Sequence, residues 1–175
     1  ALSVDQGLIS GFNITSPALQ RGYGGDIGFV NIDWVLSAAT RALPSYLVIK
    51  LMPSHPVAAA LVRHVRSFER EAKFYAEFAL ILPVRTPRAY YANWQASSGN
   101  AVLLLEDCRD LQSFTFTDPP PLAVLEQVVD TAVRLHTHFW GHQALLLEQR
   151  SVLATNSVIW QQWAQQLAVD WVLFL

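Results

Sequence analysis

Tyr46-Leu47-Val48-Ile49-Lys50-Leu51 and Phe68-Glu69-Arg70-Glu71-Ala72-Lys73-Phe74-Tyr75 decide how this sequence folds. The first run is β-branched and aromatic with a single ammonium inside it, and it predicts a buried strand. Lys50 is out of place there. The second run belongs to a helical pattern whose apolar stripe, Leu61, Val65, Phe68, Ala72, Tyr75 and Ala79, repeats every three or four residues. By the 3.6-residue period, Glu71 lies about 60° round the helix from Phe68 and about 40° from Tyr75, so it borders the stripe. The other charges, Arg66, Glu69, Arg70, Lys73 and Glu77, are expected on the opposite face, where Glu69 can pair with Lys73 at i, i+4. A dry, unpaired carboxylate or ammonium is expensive, so Lys50 and Glu71 are expected to find each other. The alternative is that Lys50 reaches water from a strand end while Glu71 is solvated at the helix border.

The composition bounds the partners. The 175 residues are enough to bury a real core in one domain. Hydrophobic residues make up 52% and charged residues 15%, below the usual ~25%, which suggests a surface partly covered by another domain or subunit. Net charge is −2 with no Lys/Arg run, so neither nucleic acid nor an anionic membrane is an expected partner. The single cysteine, Cys108, excludes an internal disulfide and a multi-cysteine zinc site. It fits an intracellular, cytoplasmic or organellar location rather than secretion. No apolar run approaches the length of a bilayer span.

Along the chain, residues 1–18 predict no element. Gly22-Tyr23-Gly24-Gly25-Asp26-Ile27-Gly28 reads as a glycine-rich turn feeding a strand from Phe29 to Leu36. Such a turn could bring backbone N–H groups to a phosphate, or it could be a plain hairpin. Pro53-Ser54-His55-Pro56 ends the Lys50 strand, and one long helix is expected from Val57 to Ile81, stopped by Pro83. Strands follow at Arg88 to Trp94 and Ala101 to Leu105, separated by the turn Ser97-Ser98-Gly99-Asn100. Beyond Arg109 the pattern becomes helical. Asp118 with Pro119 predicts the start of a helix carrying Leu122, Leu125, Val128, Val129, Ala132, Leu135 and Phe139 and closing at Gly141. A last helix, capped at Asn156 or Ser157, carries Trp160, Trp163, Leu167 and Trp171, and the apolar end Trp171 to Leu175 suggests further chain or a docking partner.

Five pieces stand in the order of a known family. They are Gly22–Gly28, Val48-Ile49-Lys50, Phe68 to Tyr75, Leu103-Leu104-Leu105-Glu106-Asp107, and Val133-Arg134-Leu135-His136-Thr137-His138-Phe139-Trp140-Gly141. On these the chain resembles the kinase-like small-molecule phosphotransferases: aminoglycoside phosphotransferases, choline kinases and, most closely, the ecdysteroid-kinase-like group. The resemblance covers roughly residues 20 to 142. It implies an α+β fold, with residues 1–108 as a kinase-like small lobe of antiparallel sheet plus one long helix. Residues 109–121 would be hinge and linker, and 122–175 the first helices of a truncated large lobe. It further implies ATP with Mg²⁺ as cofactor, Lys50 on the α- and β-phosphates, Glu71 orienting it, Gly22, Gly24 and Gly25 near the phosphates, and the backbone of Glu106 and Cys108 at the adenine edge.

The sequence also departs from the family. The glycine spacing misses G-x-G-x-x-G by one residue. After Leu135 the acidic residues are Glu148 and Asp170, and neither sits in a His-Gly-Asp-x-x-x-x-Asn catalytic loop. No catalytic residue and no metal ligand is assigned, and the chain is expected to be inactive alone. Two functions follow: nucleotide binding inherited from a phosphotransferase whose reaction needs a missing lobe or a protein partner, or a pseudokinase-like, non-catalytic subunit of a larger assembly. His136 and His138 lie two apart on a helix and point to different sides, so they are expected to be structural.

Overall fold

A computed structural model of the 175-residue chain describes residues 8–16, 21–22, 25–35, 43–115, 117–142, 158, 161–162 and 164–165. The strands are β1 (Ile9–Thr15), β2 (Arg21–Gly22), β3 (Gly25–Trp34), β4 (Tyr46–Leu51), β5 (Ala89–Trp94) and β6 (Ala101–Glu106). They form one antiparallel sheet in the order β1-β3-β4-β6-β5, with the two-residue β2 paired to β3. Helices α1 (Pro56–His64) and α2 (Ser67–Lys73), the latter continued by a π-helical turn over Phe74–Phe78, connect β4 to β5. Helix α3 (Leu122–Phe139) follows the sheet. The architecture is α+β, as the sequence predicts.

Period-two patterning explains the central strands. On β6, Ala101, Leu103 and Leu105 are buried and face the helices, where they join Val62, Phe68 and Ala72 in one core cluster. Directly opposed residues share a sheet face. The β4–β6 register pairs Lys50 with Leu103 and Val48 with Leu105, so Lys50 occupies a core-facing position. Leu47, pointing the other way, is buried with its β3 partner Val30.

Several expectations are corrected. Strand β1 lies in the segment where none is predicted: a register shift between Ile9 and Gly11 breaks the alternation that would have marked it, and Phe12 and Ile14 stay exposed. Strand β3 begins at Gly25, four residues before the predicted Phe29, and ends at Trp34. The predicted helix from Val57 to Ile81 is interrupted at Val65 and Arg66, and Arg66 takes a left-handed conformation (φ 54°, ψ 33°). That break changes the phase of the inward face. Val62 is buried rather than Leu61 before the break, and at the end of the π-helical turn, closed by Ala79 N–H on the Phe74 carbonyl, Phe78 is buried rather than Ala79.

Helix α3 starts at Leu122, not at Asp118, whose backbone N–H instead bonds the Thr115 hydroxyl in a local turn. It ends at Phe139, and Gly141 beyond it has φ 79°, the left-handed region in which glycine is favoured. Phe139 meets Phe78 edge-on at 6.1 Å between ring centres. Of the predicted stripe, Leu122, Leu125, Val128, Val129 and Ala132 are exposed, while Leu135 and Phe139 near the helix end are half-buried. Residues 158, 161–162 and 164–165 are helical, as expected there; Asn156, Ser157, Trp160, Trp163, Leu167 and 171–175 lie outside the described residues. Among the described residues no helix is long and apolar enough to cross a membrane.

Candidate functional site

The two misplaced charges meet. Lys50 Nζ donates to Glu71 Oε2 at 2.6 Å, and each side chain keeps about a quarter of its surface exposed, 23% and 24%. The ammonium also stands 5.3 Å from the centre of the Phe68 ring, which is 2% exposed. An ammonium on an aromatic face is favoured by the ring quadrupole. Sheet and helix thus hold Lys50 from two sides while part of it remains open to solvent. Glu71 takes one of its three N–H donors, so an anionic oxygen could be bound without breaking the pair. Tyr75, one turn on from Glu71, has its phenol pushed up by burial and by the Glu71 carboxylate.

Glu69 is not on a solvated face. It is 6% exposed, the one buried charged residue among those described. Arg66 Nε donates to Glu69 Oε2 at 2.7 Å, Arg66 Nη2 donates to Oε1, and Lys73 Nζ donates to Oε1 at 2.7 Å. The predicted Glu69–Lys73 pair is therefore present, but its carboxylate is buried while the Lys73 side chain stays 26% exposed, with Lys73 Nζ 5.5 Å from the Trp94 ring centre on β5. The Arg66 guanidinium, and secondarily Lys73, holds the Glu69 carboxyl below its usual range against the opposing effect of burial. A cationic residue three before and another four after an acid was the available signal. The same spacing describes an ordinary solvent-exposed pair, which is why the burial was missed.

At the end of β6, Glu106 is engaged through its carboxylate by Arg85 Nη2 (2.6 Å) and by the backbone N–H of Arg88 (3.0 Å). These contacts, the Arg88 backbone first, lower its pKa. Its own backbone N–H donates to the Arg88 carbonyl, and the Cys108 carbonyl accepts from Leu111 N–H. Asp107 binds the Arg109 guanidinium, which lies over the Phe29 ring at 3.9 Å and ties this segment to β3. A cleft of about 660 Å³ is lined here by Pro44, Tyr46, Tyr90, Glu106, Asp107 and Arg109, among others; neither Lys50 nor Glu71 lines it.

Cys108 is half-buried, and burial, followed by the Glu106 carboxylate, pushes its thiol up. A raised thiol pKa leaves less thiolate at neutral pH. Iodoacetamide should therefore alkylate Cys108 more slowly than free cysteine at pH 8, with the gap narrowing as pH rises. Alkylation as fast as free cysteine, followed by mass spectrometry, would contradict this.

The predicted glycines divide. Gly24 lies outside the described residues, and Gly22 pairs with Gly25 across β2 and β3. Gly25 is buried. A Cβ there would stand 2.8 Å from Phe68 Cζ and 2.9 Å from the Leu51 carbonyl oxygen, so this glycine serves a close packing contact with the helix layer. Asp26, next to it, accepts the Ser54 N–H at 2.8 Å and fixes the turn between β4 and α1. His138 is exposed beside the Phe139 ring. Among the described residues no group of three or more His, Cys, Asp or Glu is placed to hold a metal ion.

Compared with known proteins, the chain matches no family model, no curated protein and no solved structure.

Proposed function

We propose that the chain is the nucleotide-binding part of a kinase-like small-molecule phosphotransferase. In this reading residues 1–108 are its small lobe, 109–121 its hinge and linker, and 122–175 the start of a helical lobe. The observation that carries the reading is the Lys50–Glu71 ion pair, formed between a core-facing position of β4 and α2, the second helix after that strand. Lys50 would neutralise the α- and β-phosphates of ATP, and Glu71 would hold the ammonium in place. Bound Mg-ATP would supply the phosphoryl group. The sequence contains no catalytic-loop aspartate or metal carboxylate of the family type, so turnover would need groups supplied from outside these residues.

The test is a thermal-stability titration with ATP, with and without Mg²⁺. A ligand that binds the folded state alone stabilises it by about 2.7 kcal/mol at a hundred times its Kd. The wild-type chain should show a concentration-dependent rise in Tm that Lys50→Ala abolishes. No rise at millimolar ATP would overturn the reading.

A second reading, a non-catalytic interaction subunit, is favoured by the exposed stripe of α3 together with a charged fraction of 15%. It expects the purified chain to self-associate or aggregate unless a partner is supplied, and a monodisperse monomer at high concentration in light scattering would count against it.

A further inference from the structure

Two carboxylates two residues apart on α2 point in different directions, and they do different things. Glu71 reaches the sheet lysine; Glu69 is gripped on the other side by Arg66 and Lys73. Helix α2 has only seven residues, and it begins directly after Arg66, whose left-handed backbone is the one positive φ among described residues other than glycine. Such a conformation is unfavourable for a residue with a side chain unless the surroundings hold it. Two of the bonds to Glu69 come from Arg66 itself. A cavity of about 320 Å³ opens beside this side of α2, lined by Met52, Val62, Arg66, Phe68, Glu69 and Trp94 among others. The ion pairs thus tie the residue before α2 to its first and last turns, and Lys73 stands beside Trp94 of β5.

We propose that Glu69 is a positioning residue for the Lys50–Glu71 pair: clasped by Arg66 and Lys73, it fixes the start and rotation of α2 so that Glu71 is aimed at Lys50. A residue advance of one in the helix start would turn every side chain of α2 by about 100° and carry Glu71 off Lys50. The clasp acts on the pair whether or not nucleotide binds, while its consequence for affinity rests on the nucleotide-binding reading above.

The experiment uses the full chain and two readouts. In the first, the Lys50 side-chain resonances (13Cε and 15Nζ) are followed by NMR in wild type, Glu71→Gln and Glu69→Gln. Glu69→Gln should move the Lys50 signals toward their position in Glu71→Gln, a change that a mere loss of stability does not produce. Arg66→Gly, which relieves the left-handed backbone while removing the guanidinium, guards against misfolding and should move them the same way. In the second readout, Glu69→Gln should weaken ATP binding roughly five- to tenfold, as expected for residues coupled within one network. Unmoved Lys50 signals in folded Glu69→Gln and Arg66→Gly would overturn the proposal. Moved signals in a protein that binds no ATP would uphold it and remove the nucleotide reading instead.

Discussion

Phe68→Ala is expected to destabilise the chain by about 3–5 kcal/mol, the range for truncating a buried aromatic, out of a total of about 5–15 kcal/mol for a domain. Phe68 is 2% exposed and belongs to the cluster with Val62, Ala72, Ala101, Leu103 and Leu105 that joins helix to sheet. Its ring also meets the ammonium of Lys50 and fills the space left by the missing side chain of Gly25. Truncation therefore removes core contacts and the aromatic floor of the candidate site together. Phe68→Leu keeps an apolar side chain and should cost less, while still withdrawing the ring from Lys50. Urea unfolding measures both. A loss below about 1 kcal/mol for Phe68→Ala would mean that α2 is not held to the sheet through this residue.

Two kinds of pattern make parts of this architecture legible in the sequence: charges that conflict with their surroundings, and an uninterrupted apolar run. Lys50 in an apolar strand and Glu71 beside an apolar stripe were each unfavourable alone, and pairing resolves both. Strand β6 was legible because five apolar residues in a row end at Glu106. What stayed hidden was compensated locally. The break at Arg66 carries no glycine or proline, and the ion pairs that hold it have the i, i+3 and i, i+4 spacing of any surface helix. Strand β1 has no clean alternation because its register shifts. The periodicity of α3 shows only that an apolar face exists; among the described residues its first three turns are exposed and only its end, at Leu135 and Phe139, is half-buried.

From the sequence, the glycine at position 25 belongs to a turn that either approaches a phosphate or forms a plain hairpin; the structure adds a packing contact with Phe68, which its substitution tests. Gly25→Ala is expected to destabilise by about 1–3 kcal/mol, the usual range for adding atoms to a filled core. The added methyl would lie 2.8 Å from Phe68 Cζ, 3.3 Å from Phe68 Cε2 and 2.9 Å from the carbonyl oxygen of Leu51. The oxygen belongs to β4, and Leu51 is opposed to Asp26 in the β3–β4 register, so the sheet itself resists moving it. The ring can be removed. In Phe68→Leu the two ring atoms nearest the methyl are gone, so combining Gly25→Ala with Phe68→Leu should cost less than the sum of the two single changes. A favourable coupling of about 0.5 kcal/mol or more is the expected size for residues in direct contact. A neutral Gly25→Ala, or strict additivity with Phe68→Leu, would show that Gly25 does not seat Phe68. The requirement for glycine would then have to come from outside the folded core.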